Sequence, residues 1–438
     1  MVDKIIGTFL SRIVVTAVML GVVIINANAF GAEGTGTIAL VILGLTILQL
    51  FSNFIGGGAL VYLIPRNSIA QIVAVSYCWS FFISMAGVTV LYILHLIPSG
   101  FEWLLWILSV TNSFYYINTT IMQGKENIAL FNRYQLFQVF MLLGSFLLLL
   151  SAGYLLKWVL RVEFYIYALI ASYFVPWLFS IRYVVKNSDK FHFLGIGKLI
   201  KEMFRFGFWV QLSNLAQLMN YRLNYYFIEF NAGRKPLGIF ELGTKLSEVI
   251  LIFPKSIALV QYAKLANSGN REYASRLTIG LLKIVFSFSF LAVMVLTIIP
   301  AKWLAFIFGP EFYEAKTVIY CLAPGIVFLS CLSVCSHYFS GLGKYWVNSL
   351  SSLIGLAITL VLGIAFIPKA AAIGYMKAIT TAGVITTLSY FSSFVFTFLF
   401  FLKTGSVKWK ELGITKTDIS IFKKEVGSVF RNFKSRKP

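Results

Sequence analysis

Gly31-Ala32-Glu33-Gly34-Thr35-Gly36-Thr37-Ile38 stands between the first two long apolar runs of the chain, and Gly233-Arg234-Lys235-Pro236-Leu237-Gly238-Ile239-Phe240 stands between two runs of the second half. Each segment places a glycine, a second glycine five positions later, and then an apolar start. A second echo lies further along each half. Gln123-Gly124-Lys125 ends one apolar run, and Gly341-Leu342-Gly343-Lys344 ends its counterpart. One unit of six helices, duplicated, accounts for both echoes. Both halves then start on the same side, which makes them parallel repeats about an axis along the membrane normal.

The runs between these turns are apolar and about 20 residues long, the length that crosses a bilayer as a helix. Of the 438 residues, 59% are hydrophobic and only 12% are charged, about half the charge of a soluble domain. Mean hydropathy is +0.83. Twelve spans are predicted, at 6–29, 37–63, 69–95, 102–122, 134–156, 162–182, 206–229, 237–260, 276–299, 318–340, 345–367 and 373–401. The expected fold is therefore an all-α polytopic membrane protein, with about twelve transmembrane helices in two six-helix lobes related by pseudo-twofold symmetry. The expected divisions are 1–190 (spans 1 to 6), 191–401 (spans 7 to 12) and a basic cytoplasmic tail, 402–438. Lys198, Lys201 and Arg205 read as an interfacial approach to span 7.

Lys4 and Arg12 precede the apolar run Ile13–Ile25 and the triplet Ala27-Asn28-Ala29, a pattern similar to a signal peptide with its cleavage site. The apolar stretch starts as early as Ile5 and is long enough to span. Because the repeat needs this helix, it is expected to be retained. The net charge of +21 sits between spans rather than on one soluble face, so anionic lipid headgroups, not nucleic acid, are the expected partner. With both termini placed in the cytoplasm, 25 Lys and Arg residues fall on that side, seven outside and five within spans.

Those five are Arg222, Lys245, Lys255, Lys283 and Lys377. A cation at the centre of a spanning helix costs about 2.5–3.5 kcal/mol on insertion scales, so it usually faces a bundle interior or a wet cavity. Lys245 lies roughly 12 Å into its span at 1.5 Å per residue, too deep to snorkel easily. Glu241, Lys245, Glu248 and Lys255 follow helical spacing along one face of span 8. This row reads either as a site for an acidic group or as a ladder that neutralises itself. Span 7 carries Gln211, Asn214, Gln217, Tyr221, Asn224 and Tyr225 beside Arg222. Amides and tyrosines in that stripe bind sugar hydroxyls or serve as interhelical hydrogen-bond glue. The guanidinium fork of Arg222 suits phosphate. Lys255 and Lys283 lie nearer the cytoplasmic ends, lining an entrance or snorkelling; Lys377 and Arg12 are shallower and read as snorkelling. The candidate substrate-binding set is Arg222, Lys245, Lys255, Lys283, Gln217, Tyr221, Glu241 and Glu248.

His95 and His337 stand alone in spans 3 and 10, with no metal partner one turn away. Cys78, Cys321, Cys331 and Cys335 lie in apolar segments without metal-ligand spacing and read as buried free thiols. No cofactor or metal is expected. Nucleotide-binding, zinc-protease and serine-hydrolase motifs are absent, and no loop has room for a soluble catalytic domain.

The glycine turns also carry a family resemblance. Phe30-Gly31-Ala32-Glu33-Gly34-Thr35-Gly36-Thr37-Ile38-Ala39-Leu40, followed by Gly56-Gly57-Gly58-Ala59-Leu60, resembles the opening of the O-antigen and polysaccharide flippases (Wzx-like) of the multidrug/oligosaccharidyl-lipid/polysaccharide exporter superfamily. Leu237–Glu248, Ile252-Phe253-Pro254, Ala263-Lys264-Leu265-Ala266, Phe339-Ser340-Gly341-Leu342-Gly343-Lys344 and Ile367-Pro368 with Ala372-Ile373-Gly374 are similar too. The family usually shows a fuller Gly-x-x-Gly-Ala-Ala near span 12; here Pro368-Lys369-Ala370-Ala371-Ala372-Ile373-Gly374 is degenerate. The resemblance implies a non-enzymatic flippase of the inner cell membrane. It would move an undecaprenyl-diphosphate-linked oligosaccharide, an O-antigen or other surface-polysaccharide unit, to the outer leaflet by alternating access. It also implies a polysaccharide polymerase and glycosyltransferases as partners. The competing readings are a cation-coupled multidrug exporter of the same superfamily and a membrane polymerase or glycosyltransferase.

Overall fold

A computed structural model describes residues 2–405, apart from 58, 59, 61, 62, 65, 66, 190, 194, 269 and 270. The chain is a multi-pass, all-helical membrane protein, and its helices fall on the twelve expected spans. The first element, α1 (Val2–Gly56), is two spans joined at Gly31, whose φ of 64° and ψ of −165° break the helix. Then come α2 (Ile69–Ile93), α3 (Glu102–Gly124), α4 (Ile128–Leu155) and α5 (Glu163–Asn187), which complete the first six. The second six begin with α6 (Ile196–Ala232), and α7 (Arg234–Glu248) follows after Gly233. A 3-10 turn, Val249–Leu251, joins α7 to α8 (Ile252–Ser268) within span 8. The series ends with α9 (Arg271–Ile298), the short α10 (Ala301–Phe308), a 3-10 turn Pro310–Glu314, α11 (Ala315–Gly341), α12 (Tyr345–Ile373) and α13 (Tyr375–Gly405). Residues 406–438, most of the expected basic tail, lie outside the described residues.

Lipid supplies no hydrophobic drive between helices, so association rests on close packing and on interhelical hydrogen bonds. The sequence provides both. The chain divides into two compact units, 1–241 with 302–313, and 242–301 with 314–438. In the first unit, Ser52 meets Ser80 at 2.6 Å and Ser84 meets Ser109 at 2.8 Å. Asn118 donates to Ser180 at 2.7 Å and accepts from Tyr77 at 2.6 Å, and the Trp177 indole donates to that same tyrosine oxygen at 2.9 Å. An apolar cluster of Ile55, Leu63, Ile72, Ile117, Ile121, Leu199 and Met203 fills the space beside them. In the second unit, the Ser351 and Ser393 hydroxyls each donate to the other's backbone carbonyl at 3.0 Å, so α12 and α13 are stitched twice at one level. Cys331 and Cys335 are buried there among Val334, Tyr338, Phe339 and Phe401, as expected of structural thiols, whereas Cys78 is exposed. Outward-facing Phe82, Ile93, Leu148, Val295 and Phe306 present the apolar surface a bilayer requires.

The two glycine segments of the sequence repeat meet inside the first unit. Gly233, like Gly31, is left-handed, with φ of 94°. A Cβ built on Gly36 would lie 2.1 Å from the Arg234 carbonyl oxygen, and one built on Gly238 would lie 1.8 Å from the Ala32 carbonyl oxygen. Ala32 and Arg234 are the residues that follow the two kink glycines. The duplicated segments therefore pack on each other reciprocally, at equivalent positions. Only glycine permits this approach, because any side chain would enter the opposing backbone.

Candidate functional site

The turn at Gly233 brings α6 and α7 together as a helical hairpin, and their facing polar residues form one buried network. Arg222 Nη1 donates to the Tyr225 hydroxyl at 2.8 Å, and its Cζ lies 5.1 Å from the centre of the Tyr225 ring. The Tyr225 hydroxyl in turn donates to Glu241 Oε2. Tyr225 is 2% exposed and Glu241 4%. The edge of the Phe240 ring closes one side of the tyrosine, at 5.8 Å between centroids and 89° between planes. A carboxylate taken out of water needs hydrogen-bond and charge compensation. The phenol supplies the first, and it links the carboxylate to a guanidinium that supplies the second.

The structure thus joins two of the expected site residues, Arg222 and Glu241, through a third that the sequence placed in the polar stripe without singling it out. Tyr225 and Glu241 stand eight residues on either side of Gly233, and that symmetry about a turn glycine is the signal that could have paired them. Gln217 and Tyr221 lie one turn apart on α6 and are joined at 3.1 Å between Nε2 and the phenol oxygen; Gln217 is exposed.

The other candidates follow a gradient. Lys245 and Glu248 occupy successive turns of α7 and are half-buried. Lys255 is exposed and stands on α8, beyond the 3-10 turn, so the four charges of span 8 do not share one continuous helix. Lys283 is half-buried on α9. It lines an apolar cavity of about 310 Å³ with Phe286, Cys331, Phe394 and Phe398. Lys377 is exposed. His337 Nδ1 donates to the Ser333 carbonyl at 2.8 Å, a contact within its own helix. His95 is not in a helix as expected: α2 ends at Ile93, and His95 adopts φ of 55° in the turn that follows.

One buried cation escaped the sequence reading. Lys316, assigned there to an outer loop, is the second residue of α11 and is buried. Its Nζ donates to the carbonyls of Leu296, Thr297 and Ile299 at 3.1, 2.7 and 2.5 Å. A cation on the free carbonyls of a helix C-terminus satisfies orphan acceptors and complements the helix dipole. Its role is to cap α9. The acidic loop at 310–314 is similarly engaged. Glu311 Oε2 accepts from the Ala32 amide at 2.8 Å, and Glu311 Oε1 pairs with Lys235 Nζ at 2.7 Å. The Asn28 side chain donates to the Ile307 carbonyl at 2.8 Å. This loop thereby ties the residues after Gly31 and after Gly233 to one carboxylate.

No family model matches the chain. It is similar to an uncharacterized membrane protein of Methanocaldococcus jannaschii, 24% identical over 211 residues, which covers 47% of this chain and 40% of the relative. The match therefore spans less than half of that relative's length. Among solved structures, the lipid II flippase MurJ in an inward closed conformation superposes with a TM-score of 0.70 over 100% of this chain and 94% of its own, at 13% identity. An inward-facing multidrug resistance MATE family transporter of the MOP superfamily gives a TM-score of 0.67 over 90% of this chain and 96% of its own, at 14% identity. A MOP superfamily transporter from Pyrococcus furiosus, noted for the reverse polarity of its binding pocket, gives 0.56 over 92% and 95%, at 14% identity. The fold is that of MOP superfamily transporters, two sets of six helices.

Proposed function

We propose that this protein is a transporter rather than an enzyme, a MOP-type flippase that moves a polyprenyl-diphosphate-linked oligosaccharide across the inner cell membrane by alternating access. The lobes of that machine would be residues 1–190 and 191–401, with both termini in the cytoplasm. The observation that carries the reading is the buried Arg222–Tyr225–Glu241 network, followed along α7 by half-buried Lys245, in a fold shared with a lipid II flippase. Charged groups held at such depth are costly and mark substrate or ion pathways in membrane proteins. Arg222 and Lys245 would meet the diphosphate, Lys255 and Lys283 would attract it at the cytoplasmic mouth, and Gln217 and Tyr221 would bind sugar hydroxyls. Glu241 and Glu248 would tune the cations. A polymerase and glycosyltransferases would act on either side of the step.

The test is reconstitution with a fluorescent polyprenyl-diphosphate oligosaccharide. Wild-type vesicles should transfer it between leaflets, and Arg222→Ala and Lys245→Ala should lose transfer while inserting normally. Equal transfer by all three proteins would overturn the site. A second reading, a cation-coupled multidrug exporter, is favoured by the likeness to MATE structures and by the buried carboxylate of Glu241. Efflux of a cationic dye that Glu241→Gln abolishes, with no transfer of the lipid-linked oligosaccharide, would select it.

A further inference from the structure

A second polar pocket lies within the first unit, apart from the Arg222 network. It has a volume of about 350 Å³ and is lined by Tyr92, His95, Ser99, Tyr226, Glu229 and Arg234, among others. The left-handed turn at His95 builds one wall. The His95 and Leu96 amides close the end of α2 on the carbonyls of Tyr92 and Leu91, both at 2.9 Å, and the chain then turns through Pro98 into α3. The C-terminal turn of α6 and the first residue of α7 build the other wall.

The charges in this pocket are matched but incompletely used. Arg234 Nε donates to Glu229 Oε1 at 3.1 Å. Glu229 Oε2 is buried with no hydrogen-bond partner, and so is the Tyr226 hydroxyl, on a residue only 4% exposed. Among the described residues, the terminal nitrogens of Arg234 have no partner. A buried polar atom without a partner, as at Glu229 Oε2 and the Tyr226 hydroxyl, is costly. The pocket thus holds an open acceptor, an open phenol and an open guanidinium, with no net charge from its ion pair. A diphosphate would leave excess negative charge there. A ligand carrying one cation with N–H donors and one anion with oxygen acceptors would satisfy all three groups.

The surroundings specify an amphiphile. The pocket sits where α2 ends and α3 begins, at the ends of two expected spans. Tyr92 and Trp103 are exposed there in the manner of an interfacial aromatic belt, and Ile93, Leu94 and Phe230 present exposed apolar surface beside them. We infer that this pocket binds the headgroup of a phospholipid bearing a phosphate and a primary ammonium. The phosphate meets Arg234 and Tyr226, the ammonium meets Glu229, and the acyl chains lie on the exposed apolar surface. A quaternary ammonium has no N–H to give Glu229, so the pocket discriminates against choline headgroups.

The full-length protein in nanodiscs of equal phosphatidylethanolamine and phosphatidylcholine tests this, with retained lipids counted by native mass spectrometry. Ethanolamine lipid should be retained about tenfold over choline lipid, and Glu229→Gln should reduce that preference to near unity. Tyr226→Phe removes one oxygen without leaving a charge unpaired, so it serves if Glu229→Gln fails to fold: it should lower the total retention of both lipids severalfold, because the phosphate it meets is common to both. Equal retention of both lipids by the wild-type protein, or unchanged total retention in Tyr226→Phe, would overturn the assignment. Thermal stabilisation by water-soluble glycerophosphoethanolamine as strong as that by the lipid would assign the pocket to the free zwitterion instead. Stabilisation by a neutral disaccharide, with no lipid preference, would make it a carbohydrate site.

Discussion

Gly36 and Gly238 pack backbone to backbone. A Cβ built on Gly36 would lie 3.1 Å from the Gly238 amide nitrogen, and one built on Gly238 would lie 2.9 Å from the Gly36 amide nitrogen. Each is the fifth residue after a left-handed kink glycine, so the contact is made by equivalent positions of the two repeats. Gly36→Ala and Gly238→Ala should each destabilise by at least the roughly 1–3 kcal/mol typical of overpacking, because the opposing atoms are backbone and cannot rotate away. Gly21→Ala and Gly144→Ala, where an added methyl meets nothing within 4 Å, should be silent. Thermal melting in detergent measures the difference. Unchanged melting of both Gly36→Ala and Gly238→Ala would contradict the contact.

Tyr225→Phe removes a single oxygen that serves Arg222 and Glu241 at once. Leaving a buried carboxylate without its donor should cost about 1–3 kcal/mol, more than a neutral hydrogen bond would. The double variant Tyr225→Phe/Glu241→Gln should recover part of that loss, because the stranded charge is gone. Melting curves of Tyr225→Phe, Glu241→Gln and the double variant, read against wild type as a mutant cycle, check the coupling. Strictly additive losses would show that the phenol and carboxylate act independently.

Lys316→Met keeps the length of the side chain and removes three donors to the end of α9. The carbonyls of Leu296, Thr297 and Ile299 then lose their cation, with an expected loss of about 1–3 kcal/mol. Lys302→Met, a few residues away, should change stability little. Hydrogen exchange over 294–299 should rise in Lys316→Met and not in Lys302→Met. Equal exchange in both variants would remove the capping role.

Glu311 holds both repeat segments, the Ala32 amide with one oxygen and Lys235 with the other. The ion pair is about half exposed, and pairs of that kind contribute about 1 kcal/mol or less. Lys235→Ala should therefore shift melting only slightly, and less at high salt. Glu311→Ala should cost more, because the Ala32 amide also loses its acceptor. Equal shifts in the two variants would show that the amide bond adds nothing.

The fold was legible because apolar length and turn glycines are local properties. Among the described residues the expected spans coincide with helix over most of their length, and the Gly31 and Gly233 kinks occupy the expected joints. The break in span 8 was half legible. Pro254 cannot donate to the Ile250 carbonyl, and the 3-10 turn Val249–Leu251 lies over that missing bond. It divides the row of charges that helical spacing alone made continuous, leaving Lys255 on a separate helix. The role of Lys316 was illegible, since it depends on where the carbonyls of α9 end in space. The phenol between Arg222 and Glu241 required the hairpin geometry of α6 and α7, which a one-dimensional stripe of polar residues does not contain. The pocket at His95 was hidden for the same reason: an isolated histidine in an apolar run reads as helix, whereas the chain has already turned there.

The most direct test of the flippase reading is leaflet transfer of a fluorescent polyprenyl-diphosphate oligosaccharide in proteoliposomes, with accessibility followed by a membrane-impermeant quencher. The expected result is transfer by the wild-type protein, at least tenfold slower transfer by Arg222→Ala and by Lys245→Ala, and near-normal transfer by Lys377→Ala. Transfer at the wild-type rate by both Arg222→Ala and Lys245→Ala, in protein inserted at normal levels, would contradict it.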